Sequence, residues 1–249
     1  MSGLEKVADV LRAVAGTDMA PATAAIIVAA GGSTRMGKGL SKQLLPVDNV
    51  PVLARTLLAF DASDYIDELI VVTRAEDEER VKALQARYNI QKPLKTVLGG
   101  STRAESVANG FAAIGDKIKY VAIHDGARCL ITPALIKKVL RAAYIHKAAS
   151  AACPVTDTVK LATKHGFIEG TADRTRVFLA QTPQVFHADL YRAALANAKG
   201  LSPTDDNQLI ENIGVPVKLV DTGKENIKIT HAEDIERAEM ILEARRRRA

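Results

Sequence analysis

The chain has 249 residues, 47% of them hydrophobic and 25% charged. With a mean hydropathy near zero, this is the make-up of a globular chain able to bury one full α/β core. No apolar run approaches the ~20 residues that span a bilayer, and the N-terminus lacks the charged-then-apolar layout of a signal peptide, so the expected location is the cytoplasm with no membrane partner. Four of the five units of net positive charge sit in Arg245, Arg246, Arg247 and Arg248, leaving +1 for everything else. Aromatics are 4% with no Trp, so neither charge nor a stacking surface points to a nucleic-acid partner.

Cys129 and Cys153 form no C-x-x-C pair, and His124, His146, His165, His187 and His231 show no ligand spacing. A disulfide framework and a zinc site are both excluded as expectations, and no side chain is assigned as a metal ligand.

In chain order, residues 1–22 place Leu4, Val7, Leu11 and Val14 at helical spacing before "GTDMAPAT" interrupts. This predicts a short appendage and a linker. From Ala24 onward strand-like and helical patterns alternate. Strands are expected at "AAIIVAA", "ELIVVT", "KTVLGG", "KYVAIHD" and "SAACPV", with helices over 51–63, 75–88, 103–115 and 132–148. Runs that are apolar on both faces and alternate with helices predict an α/β fold with a mostly parallel central sheet covered on both sides. Ligands of such sheets bind beyond the carboxyl ends of the strands. Residues 155–176 depart from this rhythm. Two short alternating stretches around "KHG" predict a protruding β-hairpin arm. "VFLAQTPQVF" then returns the chain to the sheet, "VPVKLVD" gives a last strand, and "HAEDIERAEMILEARR" a closing helix. The arginine run that follows reads as a frayed, solvated tail. The expected boundaries are therefore an appendage at 1–22, a main domain at 23–244 and a basic tail at 245–249.

The stretch "IIVAAGGSTRMGKGLSKQLLPV" (26–47) nearly matches a Walker A loop, with Gly32, Gly37 and Lys38 in register but Gly39 where the metal-binding Ser or Thr should stand. A side chain without oxygen cannot ligate Mg²⁺, so that reading fails. No G-x-G-x-x-G follows the first strand either. What remains is a strand ending in Ala-Ala-Gly-Gly with Arg35, Lys38 and Lys42 close behind. Glycines let backbone N–H groups approach phosphate oxygens, and the cations add charge where a polyphosphate would lie. The plain alternative is a tight βα turn with solvated basic side chains.

The wider pattern "AAGGSTRMG…SKQLLPVDNVPVL" resembles the nucleotidyltransferase signature. With "GGSTRAESVANGF", "VAIHDGARC", "PVTDTVK…DRTRVFLAQTPQ" and "PTDDNQLIE…ENIKIT" it is similar to one branch, the 2-C-methyl-D-erythritol 4-phosphate cytidylyltransferases of the non-mevalonate isoprenoid pathway. The resemblance covers about residues 24–243 in order. It implies a three-layer Rossmann-like nucleotidyltransferase fold and transfer of a cytidylyl group from CTP to a polyol phosphate with release of pyrophosphate. It also implies a Mg²⁺ ion held mainly by the CTP phosphates and a homodimer formed through the arm. The reaction brings a dianion to a tetra-anion, and each like-charge pair at 4 Å costs roughly 4 kcal/mol at an effective dielectric of about 20. A cluster of cations is the physical requirement.

By the resemblance, Ala29, Ala30, Gly31 and Gly32 lie along the nucleotide, and Arg35 and Lys42 stabilise the pentacoordinate transition state. Gly100, Ser101 and Ser106 fall in the segment that reads cytosine and ribose. Arg103 lies in the same segment, where a structural ion pair is an equal alternative. In "HDGARC", Asp125 and Gly126 face a hydroxyl of ribose or substrate, or a metal through water; Arg128 contacts the polyol or its phosphate, and His124 reads as a buried, hydrogen-bonded imidazole. Thr158, Thr182 and Thr204 match sugar-phosphate contacts. Lys228 orients the nucleophilic phosphate, and Arg174 serves the neighbouring subunit's site. Two residues depart from the family's common pattern, Cys129 where Pro is frequent and Ser101 where some members carry Asp. The nearest rival is a ribitol-5-phosphate cytidylyltransferase, whose hairpin return reads differently from "DRTRVFLAQTPQ". A non-catalytic nucleotide-binding module would need the glycines but not Lys42, Arg174 and Lys228 together.

Overall fold

Strand β1 (Thr23–Val28) is the axis of the molecule, and every residue from Thr23 to Ile27 is buried. In the computed structural model of the chain, which describes residues 20–31, 41–198 and 203–248, β1 pairs in parallel with β4 (Glu68–Thr73) on one side and β6 (Tyr120–Asp125) on the other. Strand β5 (Leu94–Leu98) extends the sheet beyond β4. Past β6 come β10 (Phe178–His187), β7 (Ala148–Pro154) and β11 (Lys218–Asp221), giving seven strands in the order β11-β7-β10-β6-β1-β4-β5. Strand β10 runs antiparallel to both its neighbours, and the other pairings are parallel. The mostly parallel sheet is the predicted one.

The apolar character of both strand faces follows from two separate cores. Ala25 and Ile27 of β1, Leu69 and Val71 of β4, and Tyr120 and Ala122 of β6 pack with helices α1 (Val52–Asp61), α2 (Glu78–Arg87) and α4 (Pro133–His146). The alternate residues Ile26, Ile70, Val72, Val121 and Ile123 pack with α3 (Arg103–Ala112), α5 (Ala188–Ala196) and α6 (Asp206–Asn212) on the opposite face. Each period-2 strand thus feeds both layers. Helix starts are set chemically. Thr132 caps α4 by accepting the Leu135 N–H, with Pro133 in the first turn, and Thr102 caps α3 by accepting the Glu105 N–H.

Some elements differ from the sequence reading. Helices α5 and α6 and the two-residue ladder of β2 (Pro46–Val47) with β3 (Val50–Pro51) were not foreseen. The arginine tail is no frayed end, because α7 (Glu233–Arg248) continues through it and Arg245 bonds to Glu225 and to the Leu130 carbonyl. Basic side chains at a helix C-terminus also match the helix dipole. The arm is present as β8 (Lys160–Ala162) and β9 (Ile168–Thr171), antiparallel around Gly166 at φ +86°. Of the appendage expected at 1–22, residues 1–19 lie outside the described residues.

Candidate active site

The chain order reverses at β1, and the carboxyl ends of β1 and β6 stand side by side, with Val28 opposite Asp125. Ligand-binding crevices of doubly wound sheets open at this place. A cleft of about 230 Å³ lies here. Ala30 and Gly31 reach it from just past the end of β1, Gly100 and Ser101 from the β5–α3 turn, Arg103 and Ser106 from the start of α3, and Lys42 from a short 3₁₀ turn (Lys42–Leu44). The approach of the first two segments needs glycine: a Cβ on Gly99 would sit 2.4 Å from the Ala30 Cβ. Ser106 Oγ accepts from the Gly100 N–H (3.1 Å) and donates to the Thr102 carbonyl (2.9 Å), so it shapes this turn. The Glu105 carboxylate accepts from both the N–H and the hydroxyl of Ser101.

A second cleft of about 260 Å³ shares Arg103, Asp125 and Lys228 with the first and adds Arg128, Thr182 and Thr204. Asp125, common to the two halves, is 8% exposed. Lys228 Nζ lies 2.9 Å from its carboxylate, and Arg103 Nε and Arg128 Nε lie 3.6 Å away. Burial by itself would raise the Asp125 pKa, but Lys228, then Arg103 and Arg128, outweigh it and hold the carboxyl at about 2. Arg103 also pairs with Asp206 at 2.7 Å, so the ion-pair alternative for Arg103 is realised while the residue still lines both clefts. Arg128 donates to the Asn226 carbonyl, and its buried Nε makes no hydrogen bond among the described residues. A buried guanidinium whose Nε is paired only loosely, with Asp125 at 3.6 Å, has donor capacity left for an anionic ligand.

Beneath Asp125, His124 is fully buried. Its Nε2 lies 3.2 Å from the Arg128 carbonyl, which can only accept, so Nε2 carries the proton. Nδ1 then accepts from Thr182 Oγ1, which itself accepts from the Asp125 N–H. This chain of bonds fixes the backbone on both sides of the Asp125 carboxylate. Burial pushes the imidazole from the ordinary 6.5 down to about 4. Between those values the unfolded chain binds a proton that the folded one does not, so stability is complete above about pH 6.5 and falls as pH drops toward 4. At ~1.4 kcal/mol per pKa unit the loss is on the order of 3 kcal/mol. His124→Gln should lack this slope, read as unfolding free energy by denaturant titration at pH 7, 5.5 and 4. An unchanged slope in the variant would assign the effect elsewhere.

The structure does not gather every residue singled out above. Gly32 and Arg35 lie outside the described residues. Ala29 turns into the core, its N–H donating to the Val72 carbonyl, and offers the cleft no side chain. Gly126 is packed beneath Gln43, where a Cβ would meet Gln43 Oε1 and the Val28 carbonyl at 3.2 Å. Thr158 and Arg174 are exposed and line neither cleft of their own chain; Arg174 donates to the Thr156 carbonyl. Three site residues carried no assignment. Asp206 holds Arg103 and accepts from the Tyr191 hydroxyl; Gln181 and Asn226 bond to each other. Their signal lay in "PTDD", "QTPQ" and "ENIKIT", already recognised as motifs.

Known proteins resemble this chain over most of its length. The family model described as "IspD: 2-C-methyl-D-erythritol 4-phosphate cytidylyltransferase" matches residues 23–244. A protein named 2-C-methyl-D-erythritol 4-phosphate cytidylyltransferase from Caldanaerobacter subterraneus subsp. tengcongensis is 44% identical over 221 residues, 88% of this chain and 97% of that one. One of the same name from Trichormus variabilis is 40% identical over 222 residues, with the same two shares. Among solved structures, the 4-diphosphocytidyl-2C-methyl-D-erythritol synthase of Anaerococcus prevotii superposes with a TM-score of 0.79 at 33% identity, covering 89% of this chain and 98% of its own. The Thermus thermophilus cytidylyltransferase gives 0.71 at 32%, covering 88% and 98%.

Proposed function

The chain belongs to the 2-C-methyl-D-erythritol 4-phosphate cytidylyltransferase family, and from that membership we propose how its joined clefts divide the work of cytidylyl transfer. The enzyme transfers a cytidylyl group from CTP to 2-C-methyl-D-erythritol 4-phosphate in non-mevalonate isoprenoid precursor synthesis. A phosphate oxygen of the acceptor attacks the α-phosphorus of CTP, the bond from that phosphorus to the bridging oxygen breaks, and pyrophosphate leaves. The product is 4-diphosphocytidyl-2-C-methyl-D-erythritol.

In this reading the first cleft takes CTP. Ala30, Gly31, Gly100, Ser101 and Ser106 surround base and ribose, and Lys42 together with Arg35 meets the charge that develops at the α-phosphate. The second cleft takes the polyol phosphate. Arg128, Thr182 and Thr204 hold it, and Lys228, at the junction, aligns the attacking oxygen. Arg174 and Thr158 come from a neighbouring subunit's arm. No acid or base is needed, because the nucleophile is already ionised. Among the described residues no group of three or more His, Cys, Asp or Glu side chains could hold a metal. A divalent cation, Mg²⁺ in this reading, would be held mainly by the CTP phosphates and would supply neutralising charge there; ionised Asp125 is the described carboxylate of the first cleft that would face it. No helix of the described residues is long and apolar enough to cross a membrane, and a cytoplasmic location belongs to the same reading.

The observation that carries this division is the ring of Lys228, Arg103 and Arg128 around one buried carboxylate where the two clefts meet. The test is nucleotide choice. With 2-C-methyl-D-erythritol 4-phosphate as acceptor, pyrophosphate release should be much faster with CTP than with UTP, ATP or GTP at equal concentration. Equal rates with UTP would remove base reading from the Gly100–Ser106 turn.

A further inference from the structure

Apart from Ile131, the buried apolar residues of the loops that carry Arg128 and Lys228 lie outside the two cores on the sheet faces. Those loops share a third apolar cluster, in which Ala127, Cys129 and Leu130 meet Ile229 and the buried Ala238 of α7. Helix α7 therefore lies against both loops. Its last turns add a polar clamp. Arg245 Nε donates to Glu225 Oε2 (2.8 Å) and Arg245 Nη1 donates to the Leu130 carbonyl (2.9 Å). Glu225 stands next to Asn226, whose carbonyl accepts from Arg128 and whose side chain bonds to Gln181 and to the Thr182 carbonyl. Two residues on, Lys228 reaches Asp125. One guanidinium thus joins the 126–131 loop to the 222–230 loop. Its planar fork can hold a carboxylate and a carbonyl at once, which a lysine cannot do as well.

We propose that Arg245 is a positioning residue for the acceptor half of the site: through Glu225 and the Leu130 carbonyl it sets the distance between the loops that present Arg128 and Lys228. Arg248 supports the clamp from the other side of Glu225 (2.9 Å). Arg246 does not belong to it, since its partner is Asp48 on the β2–β3 turn. The inference rests on the assignment of Arg128 and Lys228 to the acceptor phosphate.

The test compares Arg245→Ala, Arg245→Lys, Glu225→Gln and the double variant Arg245→Ala/Glu225→Gln in the full chain, with Lys228→Ala as reference and Arg246→Ala as control. KM and kcat are read separately for CTP and for 2-C-methyl-D-erythritol 4-phosphate. Arg245→Ala and Glu225→Gln should each lower kcat/KM for the acceptor on the order of tenfold, with the double variant no worse than the more impaired single one, as for residues that act as a unit. KM for CTP should stay within about twofold, Arg245→Lys should recover part of the loss, and Arg246→Ala should match the wild type. A double variant whose loss is the product of the single losses overturns the proposal. So does an equal rise in KM for both substrates, or an unimpaired Glu225→Gln. If Lys228→Ala itself leaves acceptor kinetics unchanged, the assignment of the acceptor site fails; if it impairs them while the Arg245 and Glu225 variants do not, the clamp alone fails.

Discussion

Lys42→Ala should lower kcat by about two orders of magnitude or more, and Arg35→Ala should do the same, the scale for losing one electrostatic donor to a transition state. The reaction adds charge at the α-phosphate while two polyanions are held together, so a cation aimed there matters more at the top of the barrier than in the ground state. Lys42 lines the cleft that also holds Ala30, Gly31 and Ser106, at the start of a three-residue turn. It is partly exposed, so thermal unfolding should shift little. Near-normal kcat with only a raised KM would make Lys42 a uniform binder of triphosphate. Arg35 takes its place in this pair from the signature it shares with the nucleotidyltransferases.

Mixing an Arg174→Ala chain with a Lys42→Ala chain should restore activity to about one quarter of wild type. At random pairing half of the dimers are hybrids, and one of the two sites in each hybrid has both wild-type residues. The arm supplies the physical reason. Leu161 is 56%, Phe167 73% and Ile168 67% exposed there, and two short strands with so little burial are marginal by themselves. A second copy covering that apolar surface would steady the hairpin and carry Arg174, which lines neither cleft of its own chain, to the neighbour's acceptor phosphate. The protein should therefore sediment as a dimer. Hybrid dimers with no recovered activity would place Arg174's action in its own subunit or outside the reaction.

What could be read in advance followed from period and punctuation. Strands β1, β4 and β6 are apolar on both faces because each feeds two cores, and that pattern announced a covered parallel sheet. The clefts gather residues from segments recognised by motif, since Gly100, Asp125, Thr182 and Lys228 all sit at one end of that sheet. Helix α6 was not legible because seven residues are too few for a period; its start depends on the Asp205 side chain accepting from Gln208. Asp206 was missed for a related reason. Its partner, Arg103, is distant in sequence, and only the packing of α6 beside α3 on one face of the sheet joins them. The arginine run misled because charge repeats usually mark solvated ends, whereas here Glu225, the Leu130 carbonyl and Asp48 give Arg245, Arg246 and Arg248 partners. Local pattern locates elements and motifs, but not the long-range acceptors that decide whether a charge is held.

Cytidylyl transfer to the methylerythritol phosphate acceptor is proposed to take place in the cleft joined at Asp125 and Lys228. Its most direct test is pyrophosphate release at saturating CTP with 2-C-methyl-D-erythritol 4-phosphate or D-ribitol 5-phosphate varied. The kcat/KM should be at least about tenfold higher for the branched acceptor, within reach of the hydrogen-bond and shape differences between the two. A kcat/KM for ribitol 5-phosphate equal to or above it would show that the cleft does not select the methylerythritol phosphate.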